Sequence, residues 1–139
     1  SKIPSSFIAT VAATETGNFQ FKDAPTAKNA NNFFGMHATG DQEFLTTQGG
    51  AKLRSFTDNK GSIRSFLNLI ANDERYKNVI DSVNKVEDMF KGMSPYAERK
   101  DYADFLANVY NDRIKPIIET ENMLIPKPKP LVDQMNNLK

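Results

Sequence analysis

Four of the seven glycines in this 139-residue chain fall between Phe34 and Phe56, which confines any β-structure to one short lobe. Within it, Gly49-Gly50 is a turn signal. Short strands are expected on either side, near residues 43–47 and 51–56. Outside the lobe the apolar residues recur with helical period. Before it, Phe7, Ile8, Val11, Ala12 and Glu15 share three- and four-residue spacing. Pro4 suits a first helical turn, and Gly17 suits the left-handed position just past a helix end. The stretch from Asp23 to Asn32 reads as a polar loop or short helical turn, rich in Pro and Asn.

After the lobe, Asp58 can cap a helix bearing Ile63, Phe66, Leu67 and Ile70. Asp73 can cap a second, with Tyr76, Val79, Ile80 and Val83 on one face that continues through Val86, Met89 and Phe90 to Gly92. Ser94-Pro95 restarts a helix whose apolar stripe is Tyr102, Phe105, Leu106, Val109 and Tyr110. A last helix is expected near residues 114–120. The pattern is an α+β chain, mainly helical, with a small β-hairpin lobe. The alternating Pro and Lys of Ile125 to Pro130 read as an extended spacer, so residues 1–121 are expected to form the domain and 122–139 a Pro/Lys linker and tail.

Glu15 is the residue with the clearest chemical consequence. It stands near the end of its helix, at the negative pole of the helix dipole and on or beside an apolar stripe. Both surroundings disfavour a carboxylate and raise its pKa, unless Glu15 is a surface acid at a frayed helix end. A protonated carboxyl is what cleavage of a glycosidic bond needs at the leaving oxygen.

Composition narrows the alternatives. With no Cys, disulfides and cysteine metal sites are excluded, and one His leaves no basis for a histidine-clustered metal site. No cofactor is expected. A formal net charge of +1 provides no field for nucleic acid. No apolar run approaches the length of a membrane span. The chain starts without Met and without a charged-then-apolar leader, as expected of a piece of a larger protein or a processed chain.

The order Ile3-Pro4-Ser5-Ser6, an Ala-rich turn, Glu15-Thr16-Gly17 and then Asn31-Asn32-Phe33-Phe34-Gly35 resembles the bacterial endo-β-N-acetylglucosaminidase family, nearest its Bax-like branch. Flagellar and autolysin-type peptidoglycan hydrolases belong to that family. Leu53-Arg54-Ser55-Phe56, the helix from Ser62 to Ile70, Arg75-Tyr76 and Leu106 to Tyr110 extend the resemblance to about Ile118. It implies a lysozyme-like fold and hydrolysis of the β-1,4 bond next to N-acetylglucosamine in the peptidoglycan glycan strand. It also implies Glu15 as general acid, and action by a secreted, periplasmic or virion-associated protein. The chain departs from the family pattern at Asn18-Phe19, where Trp-Gly is usual. It departs again at Thr46-Thr47-Gln48, where many members carry a second Glu. Gln cannot act as base or anionic nucleophile, which leaves two routes: Asp41 or Glu43 of the same hairpin substitutes, or the substrate's own acetamido oxygen attacks the anomeric carbon and one carboxyl suffices.

Other candidates carry two readings each. Tyr110 resembles the family tyrosine near the reacting sugar, or closes the stripe of its helix. Asn31 and Asn32 offer amides to an acetamido group, or one of them supplies a left-handed turn. Phe34 and Phe19 stack on sugar faces or belong to the core. His37 reads as cleft wall or packing, Gln48 as a substrate contact on the hairpin, and Arg54 as a substrate contact or a brace of the hairpin, with the family pattern favouring the brace. Two further activities stay open: lytic transglycosylase-type cleavage, and a non-catalytic glycan-binding or structural module of an envelope or phage particle.

Overall fold

A computed structural model of the chain describes residues 2–124. The expected Pro/Lys spacer and the tail beyond it lie outside the described residues. Helix α1 (Ser5–Thr16) is followed by the single-turn α2 (Pro25–Asn29) and an antiparallel hairpin of β1 (Phe44–Thr46) and β2 (Lys52–Arg54). Helices α3 (Asn59–Asn72), α4 (Lys77–Asp81), α5 (Val86–Lys91), α6 (Tyr102–Val109) and α7 (Lys115–Leu124) complete the body. The fold is mainly helical, with one small two-stranded sheet.

α1 is the central helix. Phe7, Thr10, Val11, Ala12, Ala13 and Thr16 are all buried, which is more than one stripe of the helix. Small alanines let neighbours approach from several sides, and the two buried threonines satisfy themselves. Thr10 donates to the Ser6 carbonyl at 2.7 Å and Thr16 to that of Ala12 at 2.8 Å. Phe7 stacks between Phe66 and Phe90, at 6.2 and 5.9 Å between ring centres. Phe66 in turn lies parallel to Phe34 at 4.2 Å. This ladder of rings ties α1, α3 and α5 to the turn that precedes the hairpin.

Several expected features are present. Asp58 caps α3 by accepting from Gly61 N at 2.9 Å, and Asp73 accepts from Arg75 N at 3.0 Å. The hairpin pairs Phe44 with Arg54 and Thr46 with Lys52 around the glycine turn. A third stretch lies beside β2, with Ala38 N donating to Lys52 O and Arg54 N to Met36 O.

The later helices differ from expectation. The second helix of the body is broken between α4 and α5, which pack on each other where Gly92 allows it. A Cβ on Gly92 would stand 2.8 Å from Val79 Cγ2 and 2.9 Å from its backbone nitrogen. Ser94-Pro95 begins a single 3₁₀ turn, Ser94–Tyr96, and α6 starts at Tyr102 after an extended break at Ala97. The last helix is continuous with α6 through a π-helical segment, Tyr110–Ile114. It runs to Leu124, beyond the end expected near residue 120.

Candidate active site

The site forms where the end of α1 meets the turn before the hairpin. Gly17 takes φ 61° and its N–H bonds the Ala13 carbonyl, as a left-handed helix end requires. Asn18, Phe19 and Phe21 are also left-handed, at φ 61°, 63° and 56°. The chain therefore curls back over the helix end. Thr16 fixes that curl by accepting from Phe19 N at 2.8 Å, while its carbonyl accepts from Phe21 N at 2.9 Å.

The Asn31-Asn32 turn brings the opposite wall. Asn31 is left-handed, φ 53°, and its amide donates to the Phe56 carbonyl at 2.9 Å. Asn32 is 0% exposed. Its amide donates to Met36 O at 2.8 Å and Arg54 O at 2.9 Å, and its carbonyl accepts from Phe34 N at 3.3 Å and Met36 N at 3.1 Å. Asn32 thus buckles the turn to β2 and delivers Gly35 against the acid. A Cβ at Gly35 would lie 3.8 Å from Glu15 Oε1.

Tyrosines close the third side. Tyr102, at the start of α6, donates to Glu15 Oε1 at 3.4 Å. Tyr96 donates to the Phe34 carbonyl and stacks on Tyr102 with centres 6.1 Å apart. Burial pushes the Glu15 carboxyl above its usual range, and the Tyr102 hydrogen bond draws it part of the way back. Burial and then the Glu15 charge raise the Tyr96 and Tyr102 phenols, so both stay protonated donors.

Glu15 opens onto two depressions. One, of about 400 Å³, lies between the hairpin lobe and the helical body, with Gly35, His37, Gln42, Arg75 and Tyr96 among its walls. The other, of about 290 Å³, lies past the helix end and is bordered by Gly17, Lys22, Asp23 and Ala24. Asp23 and Ala24 also border a third, of about 350 Å³, which reaches Thr47, Gln48 and Leu53. Shared walls link the three, and Glu15 stands between the first two. A roomier hollow of about 470 Å³ lies elsewhere, between the start of the chain and α3–α4; its walls are mostly apolar and carry no acid.

His37 is exposed and borders the first of these depressions. Arg54 braces the lobe, donating to Ser65 Oγ at 2.8 Å with its guanidinium over Phe56. Other expectations need correction. Phe34 is 1% exposed and stacked on Phe66, so no sugar face reaches it. The Asn32 amide is buried with all its hydrogen-bonding groups engaged, and the Asn31 amide is held by Phe56 O, so neither is a free arm for an acetamido group. Tyr110 packs in the core against Phe90 at 5.6 Å, and the acids that bear on its phenol are Glu87 and Glu119. The phenol at Glu15 belongs to Tyr102.

Asp41 and Glu43 are exposed and border none of the three depressions; Gln42 between them does. Gln48 borders the third depression and not the two that Glu15 lines. Sequence reasoning missed Tyr96, Tyr102 and Arg75. A phenol on an otherwise apolar stripe needs a partner for its hydroxyl when buried, and that was the signal at Tyr102. Among the described residues no group of three or more His, Asp or Glu is placed to hold a metal ion. No helix among them is long and apolar enough to cross a membrane.

A carboxyl whose pKa burial raises, and which borders two depressions, is suited to donate a proton to a bridging oxygen. Comparison with curated protein sequences gives no match. Among solved structures, the chain resembles a peptidoglycan hydrolase from Sphingomonas sp. A1, with TM-score 0.69, 21% identity, and coverage of 93% of this chain and 86% of that one. It also resembles the glycoside hydrolase domain of Salmonella typhimurium FlgJ, with TM-score 0.67, 21% identity, and coverage of 99% and 87%. These likenesses establish the fold. The family model for glucosaminidase, described as mannosyl-glycoprotein endo-β-N-acetylglucosaminidase, matches residues 1–120, and the chain therefore belongs to the glucosaminidase family of glycoside hydrolases.

Proposed function

We propose that the protein cleaves the β-1,4 glycosidic bond next to N-acetylglucosamine in the peptidoglycan glycan strand, with Glu15 as general acid. The observation that carries this reading is the Glu15 carboxyl itself: raised by burial, held by Tyr102, and standing between two linked depressions. Two structural relatives support the reading: a peptidoglycan hydrolase supports the substrate, and the FlgJ glycoside hydrolase domain supports the reaction class. Peptidoglycan lies outside the cytoplasmic membrane, so the site of action is the cell envelope, reached by secretion or delivery on a virion.

In the reaction the strand lies along the groove with the scissile oxygen at Glu15. The acid gives its proton as the bond to the anomeric carbon lengthens, and the leaving sugar departs as a neutral alcohol. Glu15→Gln keeps shape and removes that proton. Zymography on purified peptidoglycan is expected to show no clearing by the variant. Clearing above a few per cent of wild type would remove Glu15 from the acid role. Reducing N-acetylglucosamine ends among the products support hydrolysis at this bond. Anhydro-muramic ends would reassign the domain to transglycosylase-type cleavage, and intact strands that still bind would make it a binding module.

A further inference from the structure

We infer that Asp23, on the loop between α1 and α2, is the second catalytic carboxyl and activates the attacking water. This inference rests on the reading of Glu15 as the acid. Three observations support it. Asp23 is the one carboxylate besides Glu15 among the described residues that border the three linked depressions. It lines the same depression as Glu15 and also the one that reaches Thr47 and Gln48. The hairpin carboxylates Asp41 and Glu43 border none of the three.

The loop that carries Asp23 is held in place. Phe21 N donates to Thr16 O at 2.9 Å and Ala24 N to Phe21 O at 3.2 Å, so the segment is folded onto the end of α1. The Asp23 side chain is exposed, and no hydrogen bond or ion pair holds it among the described residues. It does not cap α2, whose start has no side-chain cap. A carboxylate fixed by its backbone and unpartnered at its tip is available to water in the groove.

The step balances with water as the only co-reactant. Asp23 takes a proton from water as the water oxygen bonds to the anomeric carbon. The glycosidic C–O bond breaks with its electron pair going to the leaving oxygen, which receives the Glu15 proton. Asp23 ends protonated and Glu15 ionised, and exchange with solvent restores both. Direct attack by a base-activated water inverts the anomeric centre, so the new reducing end is the α-anomer.

The test uses the whole chain on purified glycan strands, with Glu15→Gln, Asp41→Asn and Glu43→Gln as companions. Asp23→Asn is expected to lower kcat by roughly 10²–10⁴-fold, the range of a positioned acid or base, with KM nearly unchanged. Asp23→Ala is expected to regain rate in sodium formate, which restores a carboxylate. Early-time NMR of wild-type digests is expected to show the α-anomer, a readout that stands even if a variant fails to fold. A fall of less than about tenfold in folded Asp23→Asn would overturn the proposal. So would β-anomer, or anhydro ends, in the wild-type products. If Glu15→Gln is dead while Asp23→Asn is active, only the Asp23 assignment falls. If Glu15→Gln is active, the acid assignment falls with it.

Discussion

Replacing Asn32 by Ala separates structure from substrate binding at the turn beside the acid. The side chain makes four hydrogen bonds at 2.8–3.3 Å and is fully buried. Ala removes all four at once. Met36 O keeps a partner in Arg54 N, but Phe34 N and Met36 N lose the acceptor recorded for them. Each buried donor left unsatisfied costs about 1–3 kcal/mol, so the two together should cost about 2–6 kcal/mol. For a domain of this size about 1 kcal/mol moves Tm by roughly 3–5 °C, and a drop of roughly 6–30 °C follows.

Thermal unfolding by circular dichroism measures it directly. Asn32→Asp should be worse near neutral pH. It places acceptors against the Met36 and Arg54 carbonyls and buries a charge without a partner. Part of that loss should return in acid, where a protonated Asp can donate. If Asn32→Ala melts within about 3 °C of wild type yet loses activity, the reasoning fails, because the amide would then act on substrate and not on the fold.

Glu15 has a folded-state pKa raised by burial, so its stabilising contribution is complete below the unfolded value and is lost as pH rises through the folded one. Glu15→Gln should flatten that part of the stability–pH curve and match or exceed wild-type Tm at neutral pH; a steeper decline would contradict the burial argument. Tyr102→Phe removes the hydrogen bond that lowers the Glu15 pKa, so the basic limb of the pH–rate profile should move to higher pH, with an unmoved or lowered limb refuting the contact. Gly92→Ala drives a Cβ to 2.9 Å from the Val79 backbone nitrogen and should cost about 1–3 kcal/mol by urea unfolding, with little change in the pH profile.

The locally determined features were legible in the chain. Asp58 and Asp73 cap their helices because a short acid before a helical period is a local signal, and the left-handed Asn31 and Gly17 follow from what those residue types tolerate. Glu15 was legible for the same reason, since helix end and stripe are both local. What escaped depends on distant neighbours. The helix expected through Val83 to Val86 breaks because α4 and α5 fold onto each other at Gly92, a contact without a local signature. The π-segment that joins α6 to α7 hides behind an ordinary helical period. Tyr102 and Tyr110 occupy one stripe eight residues apart, and only the packing of α6 on α1 decides which of them meets the acid. Asp41 and Glu43 were favoured by nearness to Gln48 in sequence, whereas the groove is bordered by residues that the curled loop after α1 brings round.

The tyrosine wall has an optical consequence. The chain has four tyrosines and no tryptophan, so its near-ultraviolet absorption and emission come mainly from phenols. Tyr102 touches the Glu15 carboxyl, and Tyr96 is stacked on Tyr102. When the carboxyl gives up its proton, a negative charge arises against one stacked pair of chromophores, while Tyr110 lies apart against Phe90. Tyrosine difference absorbance or emission, followed without substrate, therefore becomes a titration curve for the acid. The unmodified protein then reports, in a cuvette, the protonation state on which its chemistry depends.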